Sequence, residues 1–148
     1  MTLNSVTESV GDDKSGANGS GVWIRIAVIA SVALLVRLVY LWGYRSHPFF
    51  AHFILDALWH HEWALDLKNG NWWGDDVFFR APLYPYFLGI IYSVSEASHL
   101  AARLAQFALG AASSVLVYLM GRKLLSKDRT ALVAGLAFAL YGPMIYFE

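Results

Sequence analysis

The chain contains no cysteine, and this absence excludes three classes of protein. Disulfide-stapled secreted domains, enzymes with a thiolate nucleophile and zinc ribbons all depend on that residue. Charged residues are also few, at 15%, and 11 basic residues balance 11 acidic ones. Because a nucleic-acid-binding surface requires an excess of basic residues, we expect no nucleic-acid partner.

Apolar residues are abundant, at 57% of the chain, and the mean hydropathy is +0.47. They are concentrated in three long blocks, residues 22–43, 99–120 and 130–147. A helix needs about 20 apolar residues to cross a bilayer. The sequence therefore predicts an all-α integral membrane protein with three transmembrane helices.

Residues 1–21 are rich in Gly, Ser, Asn and Asp and are expected to form a disordered tail. The tail and the first apolar block could instead be a cleaved signal peptide. That interpretation is disfavoured because the leader is acidic, with Glu8, Asp12 and Asp13, and because the apolar run continues beyond Arg37.

The segment between the first two apolar blocks has a different composition. Residues 44–97 contain 14 of the 23 aromatic residues and six of the acidic ones. Aromatic residues beside polar groups are typical of the membrane–water interface. The spacing predicts two amphipathic helices in a loop over residues 44–98, at about 55–69 and 82–94, both lying along the membrane surface.

The loop at residues 121–129 carries four basic residues and one acidic residue. The positive-inside rule assigns such a loop to the cytoplasm. With three crossings, the N-terminal tail is then also cytoplasmic, and the aromatic loop at residues 44–98 lies outside.

Asp56 and His60 are one helical turn apart in the first predicted interfacial helix, so they share a face. They could bind a divalent cation or form part of a base. However, two ligands do not make a metal site, so no metal site is assigned. Asp56 could instead cap the helix, since aspartate accepts bonds from free backbone N–H groups. Arg37, inside the first apolar block, must either extend to the water or have a partner.

Several segments in order resemble the N-terminal part of bacterial membrane glycosyltransferases of the C-type fold. The relatives in question are the dolichyl-phosphate-mannose protein mannosyltransferases and the lipid A aminoarabinose transferases. The resemblance rests on LDALWHHEWA, RAPLYPYFLGIIY, ARLAQFALG, the basic loop and LYGPMIYFE.

This resemblance implies an enzyme that takes a sugar from a polyprenyl-phosphate carrier and transfers it, with inversion, to a protein, lipid or glycan acceptor outside the membrane. Asp56 would be the catalytic general base. Arg80 and Arg103 would contact the carrier phosphate, and Glu148 and His60 would complete the substrate-binding residues. No cofactor is assigned, although a divalent cation stays possible.

The resemblance also implies a multi-pass protein of the bacterial plasma membrane. Because the family's membrane module has about seven crossings, we expect the 148 residues to be a fragment that is inactive alone. Two other functions remain open. The chain could be a three-helix membrane subunit or scaffold without activity, or part of a transporter or flippase, where charges inside the membrane mark a pathway.

Overall fold

A computed structural model of the protein describes residues 14–46, 50, 55–73, 81–125 and 127–147. For residues 14–19 and 147 it describes the backbone only. Those residues form helices and turns and contain no strand. The helices are α1 Lys14–Tyr44, α2 Asp56–Lys68, α3 Leu83–Ser95, α4 His99–Leu124, α5 Asp128–Ala139 and α6 Gly142–Phe147.

Three stretches are long and apolar enough to cross a bilayer: Ser20–Tyr44, His99–Leu124 and Asp128–Tyr146. Between the first two lie the short helices α2 and α3, each of 13 residues. The predicted fold class, three membrane-spanning helices with two short helices between the first and the second, is therefore confirmed.

Helix α1 begins at Lys14, earlier than the apolar block that predicts it. The sequence predicts a disordered tail up to residue 21, but residues 14–21 are helical. Once a long apolar segment has formed a helix, each added residue gains a hydrogen bond without a new nucleation step. The rest of the expected tail, residues 1–13, lies outside the described residues.

The third apolar block, predicted as one helix over residues 130–147, is interrupted. Helix α5 ends at Ala139, and α6 begins at Gly142. Pro143 explains the break, because a proline ring clashes with the carbonyl group four residues earlier, here that of Ala139. The chain turns at this point and resumes as a short helix.

Contacts divide the chain into two compact units. The first unit comprises residues 1–36 and 110–142, and the second comprises residues 37–109 and 143–148. In the first unit, three alanines from three helices are buried together: Ala33, Ala111 and Ala139. Small residues at such positions let helix backbones approach closely in a membrane.

Gly135 on α5 shows how close this approach is. A Cβ atom built there would lie 2.9 Å from the Cβ of Tyr118 and 3.0 Å from the Cδ1 of Ile29. It would also lie 3.2 Å from the carbonyl oxygen of Ser114. The helices of the first unit therefore pack at a distance that only glycine permits at this position.

Two polar side chains inside the apolar helices, those of Ser114 and Arg37, are completely buried. The buried hydroxyl of Ser114 donates to the carbonyl of Gly110, 3.0 Å away on its own helix. The side chain of Arg37 is 0% exposed, so it does not extend to the water. Of the two possibilities that the sequence left for Arg37, enclosure by protein is the one observed.

We expect Gly135→Ala to lower the free energy of unfolding by about 1–3 kcal/mol, because the added methyl group overpacks the interface. Gly142→Ala is the matched control, since a Cβ there meets nothing within 4 Å. It should leave stability within about 1 kcal/mol of the original protein. Unfolding in mixed micelles, with rising dodecyl sulfate, measures both. Equal stability of the two variants would contradict the close packing at Gly135.

Candidate functional site

In the second unit α2 packs against α3, and the closest contact is in the C-terminal half of α2. A Cβ atom at Gly89 would lie 2.9 Å from the Cβ of Leu67 and 3.6 Å from the carbonyl oxygen of Ala64. Both Leu67 and Ala64 are completely buried. The backbone of α3 therefore contacts side chains of α2 directly, and the two helices form a closely packed pair.

Asp56 is the first residue of α2, and its side chain is exposed. The N-cap residue is Leu55, so Asp56 is not at the N-cap position itself. A carboxylate in the first turn is still stabilised by the positive end of the helix dipole. The carboxylate is thus accessible and lies at a defined point of the fold.

Leu55 has an unusual backbone conformation, with φ 54° and ψ −123°. Positive φ values are strained for a large side chain and cluster at functional sites. The side chain of Leu55 is 83% exposed, so burial of that side chain does not explain the conformation. The strain immediately precedes Asp56 and is consistent with a functional constraint on where α2 begins.

His60 lies one turn further along α2 and packs against α3. Its ring contacts that of Tyr84 edge to face, with the centroids 5.1 Å apart. The structure therefore brings His60 to Tyr84. Among the described residues, no group of three or more His, Cys, Asp or Glu side chains could hold a metal ion.

Arg103 lies on α4 beside two aromatic rings that contact each other, with their centroids 6.1 Å apart. Its guanidinium carbon is 4.2 Å from the ring centroid of Phe50 and 5.0 Å from that of Tyr44. One terminal nitrogen, Nη2, donates to the backbone oxygen of Phe50 over 3.2 Å. The other, Nη1, is buried and has no hydrogen-bond acceptor within the described ranges. The guanidinium group is therefore held in one orientation with a donor left over.

Tyr84 and Gln106 belong to the same region, and sequence reasoning did not identify them as site residues. The Nε2 of Gln106 donates to the Tyr84 hydroxyl over 2.7 Å. Burial raises the pKa of Tyr84, and the bond from Gln106 partly opposes that rise. Tyr84 is therefore a neutral phenol whose own proton can be donated. The spacing of Gln106 three residues after Arg103, on one face of a helix, is the signal that could have found it.

A second cluster joins three helices at His61, Tyr92 and His99. The Nδ1 of His61 and the hydroxyl of Tyr92 are hydrogen-bonded over 2.9 Å, and the rings of His61 and His99 have centroids 5.0 Å apart. Tyr92 is almost completely buried. Burial also lowers the pKa of His61, although the neighbouring carboxylate of Glu62 opposes this. His61 therefore stays neutral at physiological pH.

Two predicted substrate-binding residues, Arg80 and Glu148, lie outside the described residues. Of the predicted residues, Asp56, His60 and Arg103 are described, and all three belong to the second unit. The ring of His60 contacts that of Tyr84, and Arg103 lies on the same helix as Gln106, which donates a hydrogen bond to Tyr84.

Comparison with protein families relates the C-terminal part of the chain to a known family. Residues 79–147 match the family described as dolichyl-phosphate-mannose-protein mannosyltransferase, and this confirms the family that the sequence resembles. The matched range includes Arg80 and Arg103, whereas Asp56 and His60 precede it and Glu148 follows it. Neither the comparison with curated proteins nor that with solved structures found a match.

We expect the stability of the protein to fall as the pH drops below about 6.5, the ordinary histidine value. The lowered pKa of His61 means that the unfolded chain binds a proton before the folded one does, so acid favours unfolding. Thermal unfolding in neutral detergent between pH 8 and pH 5 measures this. His61→Gln should flatten the pH dependence, and an unchanged profile in that variant would refute the assignment.

Proposed function

We propose that the protein transfers a sugar from a polyprenyl-phosphate carrier to an acceptor outside the membrane, because residues 79–147 match a family of membrane glycosyltransferases. The family relationship supports glycosyl transfer in a membrane. The observation that supports the phosphate carrier is Arg103, a charged group in an aromatic setting with a donor directed at no described acceptor. The planar guanidinium group of arginine binds phosphate through paired N–H donors.

Asp56 is proposed as the general base. Its carboxylate accepts the proton of the acceptor hydroxyl or amine while the acceptor atom bonds to the anomeric carbon of the sugar. On the opposite face, the bond from that carbon to the carrier oxygen breaks, and its electron pair leaves with the phosphate. A phosphate needs no strong acid to depart. One carboxylate and a few cationic or neutral donors are therefore sufficient for the reaction, with inversion at the sugar carbon.

Arg103 and Tyr84 are proposed to bind the leaving phosphate, together with Arg80. Charge grows on the phosphate oxygens as the bond breaks, and donors already in place stabilise it without reorganisation. Arg103 is held by two rings and a backbone carbonyl, and Tyr84 is held by Gln106. These contacts would keep the donors positioned before the carrier arrives. His60, packed on Tyr84, and Glu148 are proposed as further substrate contacts.

We further propose that the protein lies in a bacterial plasma membrane, with α2 and α3 at its outer surface. The N-terminus and the loop 121–129 are then cytoplasmic. The connection after α2 carries Trp72 and Trp73, and Trp73 is 90% exposed. Exposed tryptophan is typical of membrane interfaces. The four basic residues of the loop support its cytoplasmic position.

We expect Asp56→Asn to lower the turnover number by roughly 10²- to 10⁴-fold, since it removes the base and keeps the shape of the side chain. Asp66→Asn is the matched control, because Asp66 is an exposed aspartate on the same helix. Sugar transfer by the full-length protein in lipid vesicles, with a polyprenyl-phosphate sugar as donor, measures both. If Asp56→Asn retains its turnover, Asp56 only stabilises the start of α2.

We expect Arg103→Lys to raise the KM for the carrier by roughly 10- to 100-fold, because lysine keeps the charge and loses the planar donor pair. Its effect on turnover at saturating carrier should be smaller. Arg45→Lys, at an exposed arginine just after α1, is the control. The rate should be followed against carrier concentration in the same vesicles. A curve for Arg103→Lys that overlays that of the control would remove Arg103 from the phosphate site.

A further inference from the structure

One end of the first unit carries a concentrated positive charge. It comprises the basic residues Arg25, Arg122, Lys123, Lys127 and Arg129 together with the acidic residue Asp128, and we refer to it as the basic end. The chain as a whole has a formal net charge of zero, so the excess at this end is balanced elsewhere in the sequence. Such a concentration attracts an anion.

Asp128, the acidic residue of the basic end, forms ion pairs with two arginines from two other helices. Nη1 of Arg25 lies 2.6 Å from one carboxylate oxygen, and Nε of Arg122 lies 3.2 Å from the other. The single negative charge of Asp128 is shared by two arginines, so the basic end keeps an excess of positive charge. The same contacts bring together the N-terminal part of α1, the last turn of α4 and the first turn of α5.

The remaining donors of the basic end are unused in the part of the chain that the structure describes. Arg122 donates through Nε alone, which leaves both of its terminal nitrogens for another acceptor. Lys123, Lys127 and Arg129 are exposed and form no ion pair with a described residue. The basic end therefore offers several charged donors without an anion.

Two exposed apolar side chains at the end of α4 lie next to these donors along the helix. Met120 is 61% exposed and Leu124 is 78% exposed, and both belong to the last two turns of a helix that can cross the bilayer. A ligand that fits this arrangement has a phosphate group beside long apolar chains. Inorganic phosphate has the charge but no apolar part, whereas an anionic phospholipid has both.

We propose that the basic end binds the headgroup of an anionic glycerophospholipid, such as a phosphatidylglycerol, from the leaflet in which it lies. The phosphate accepts hydrogen bonds from the free nitrogens of Arg122 and from Lys123, Lys127 or Arg129. The acyl chains lie along Met120 and Leu124. Because Asp128 joins the ends of three helices, the bound lipid adds a further contact that holds these ends together. This site is independent of the proposed sugar transfer.

The test is the binding of phospholipids to the full-length protein purified in neutral detergent, followed by native mass spectrometry. Dioleoyl phosphatidylglycerol is titrated against dioleoyl phosphatidylcholine, which has the same chains and no net charge. We expect the anionic lipid to bind tighter. Lys127→Gln should weaken its binding roughly fivefold, since one basic residue near the surface contributes about that factor. Arg45→Gln, an exposed arginine at the other end of α1, should leave it unchanged.

Several results would overturn the proposal. Equal binding of the two lipids would show that the charge has no role. Equal losses in Lys127→Gln and Arg45→Gln would show that the lipid is attracted to any basic residue and not to the basic end. Competition by inorganic phosphate at the concentration of the lipid would identify a phosphate site rather than a lipid site. Binding that appears only after residues 2–13 are removed would mean that the acidic residues Glu8, Asp12 and Asp13 occupy the basic end instead.

Discussion

Lipid offers no hydrogen bonds, so each polar group in a membrane-spanning helix must be satisfied by the protein itself. Three arrangements among the described residues show how polar groups are accommodated, whereas Nη1 of Arg103 is buried without an acceptor among those residues. The hydroxyl of Ser114 donates a hydrogen bond to a carbonyl of its own helix, Arg25 and Arg122 share the carboxylate of Asp128, and Arg37 is completely buried. Each solution also restricts how the helices pack, because a hydroxyl, a carboxylate or a guanidinium group has few allowed partners.

Close helix packing follows from the same constraint. Apolar side chains gain nothing by leaving lipid for another helix, so helices associate through van der Waals contact and small residues. Gly135 in the first unit and Gly89 in the second are two such points, where a Cβ atom would approach a neighbouring side-chain carbon to within 2.9 Å. At Gly89 the consequence concerns the candidate site, since this contact sets the distance between α2 and α3.

The helices were predictable from the sequence to the extent that they depend on local composition. Apolar length was sufficient to find the three spans, and the two short helices follow from their spacing. Hydropathy does not predict the break before Gly142, because it does not reflect the helix hydrogen bond that Pro143 removes. The early start of α1 was missed because the composition of residues 14–21 is poor in helix formers.

The candidate site was less predictable, because its contacts join residues distant in sequence. Arg103 contacts Phe50 across 53 positions, and Gln106 contacts Tyr84 across 22. Periodicity describes one helix at a time, so it places Gln106 beside Arg103 but does not indicate which helix they face. The strained backbone of Leu55 has no sequence signal either, since leucine is a residue type that avoids this conformation.

The setting of Arg103 favours an anionic ligand on energetic grounds. An arginine stays charged, and its burial is unfavourable unless a partner compensates the charge. Two aromatic rings and one backbone oxygen compensate it in part, because their electrostatic attraction is weaker than that of a full negative charge. Among the described residues no carboxylate pairs with Arg103. A phosphate bound at Nη1 would supply the missing charge in a poorly solvated place, where electrostatic attraction is stronger than in water.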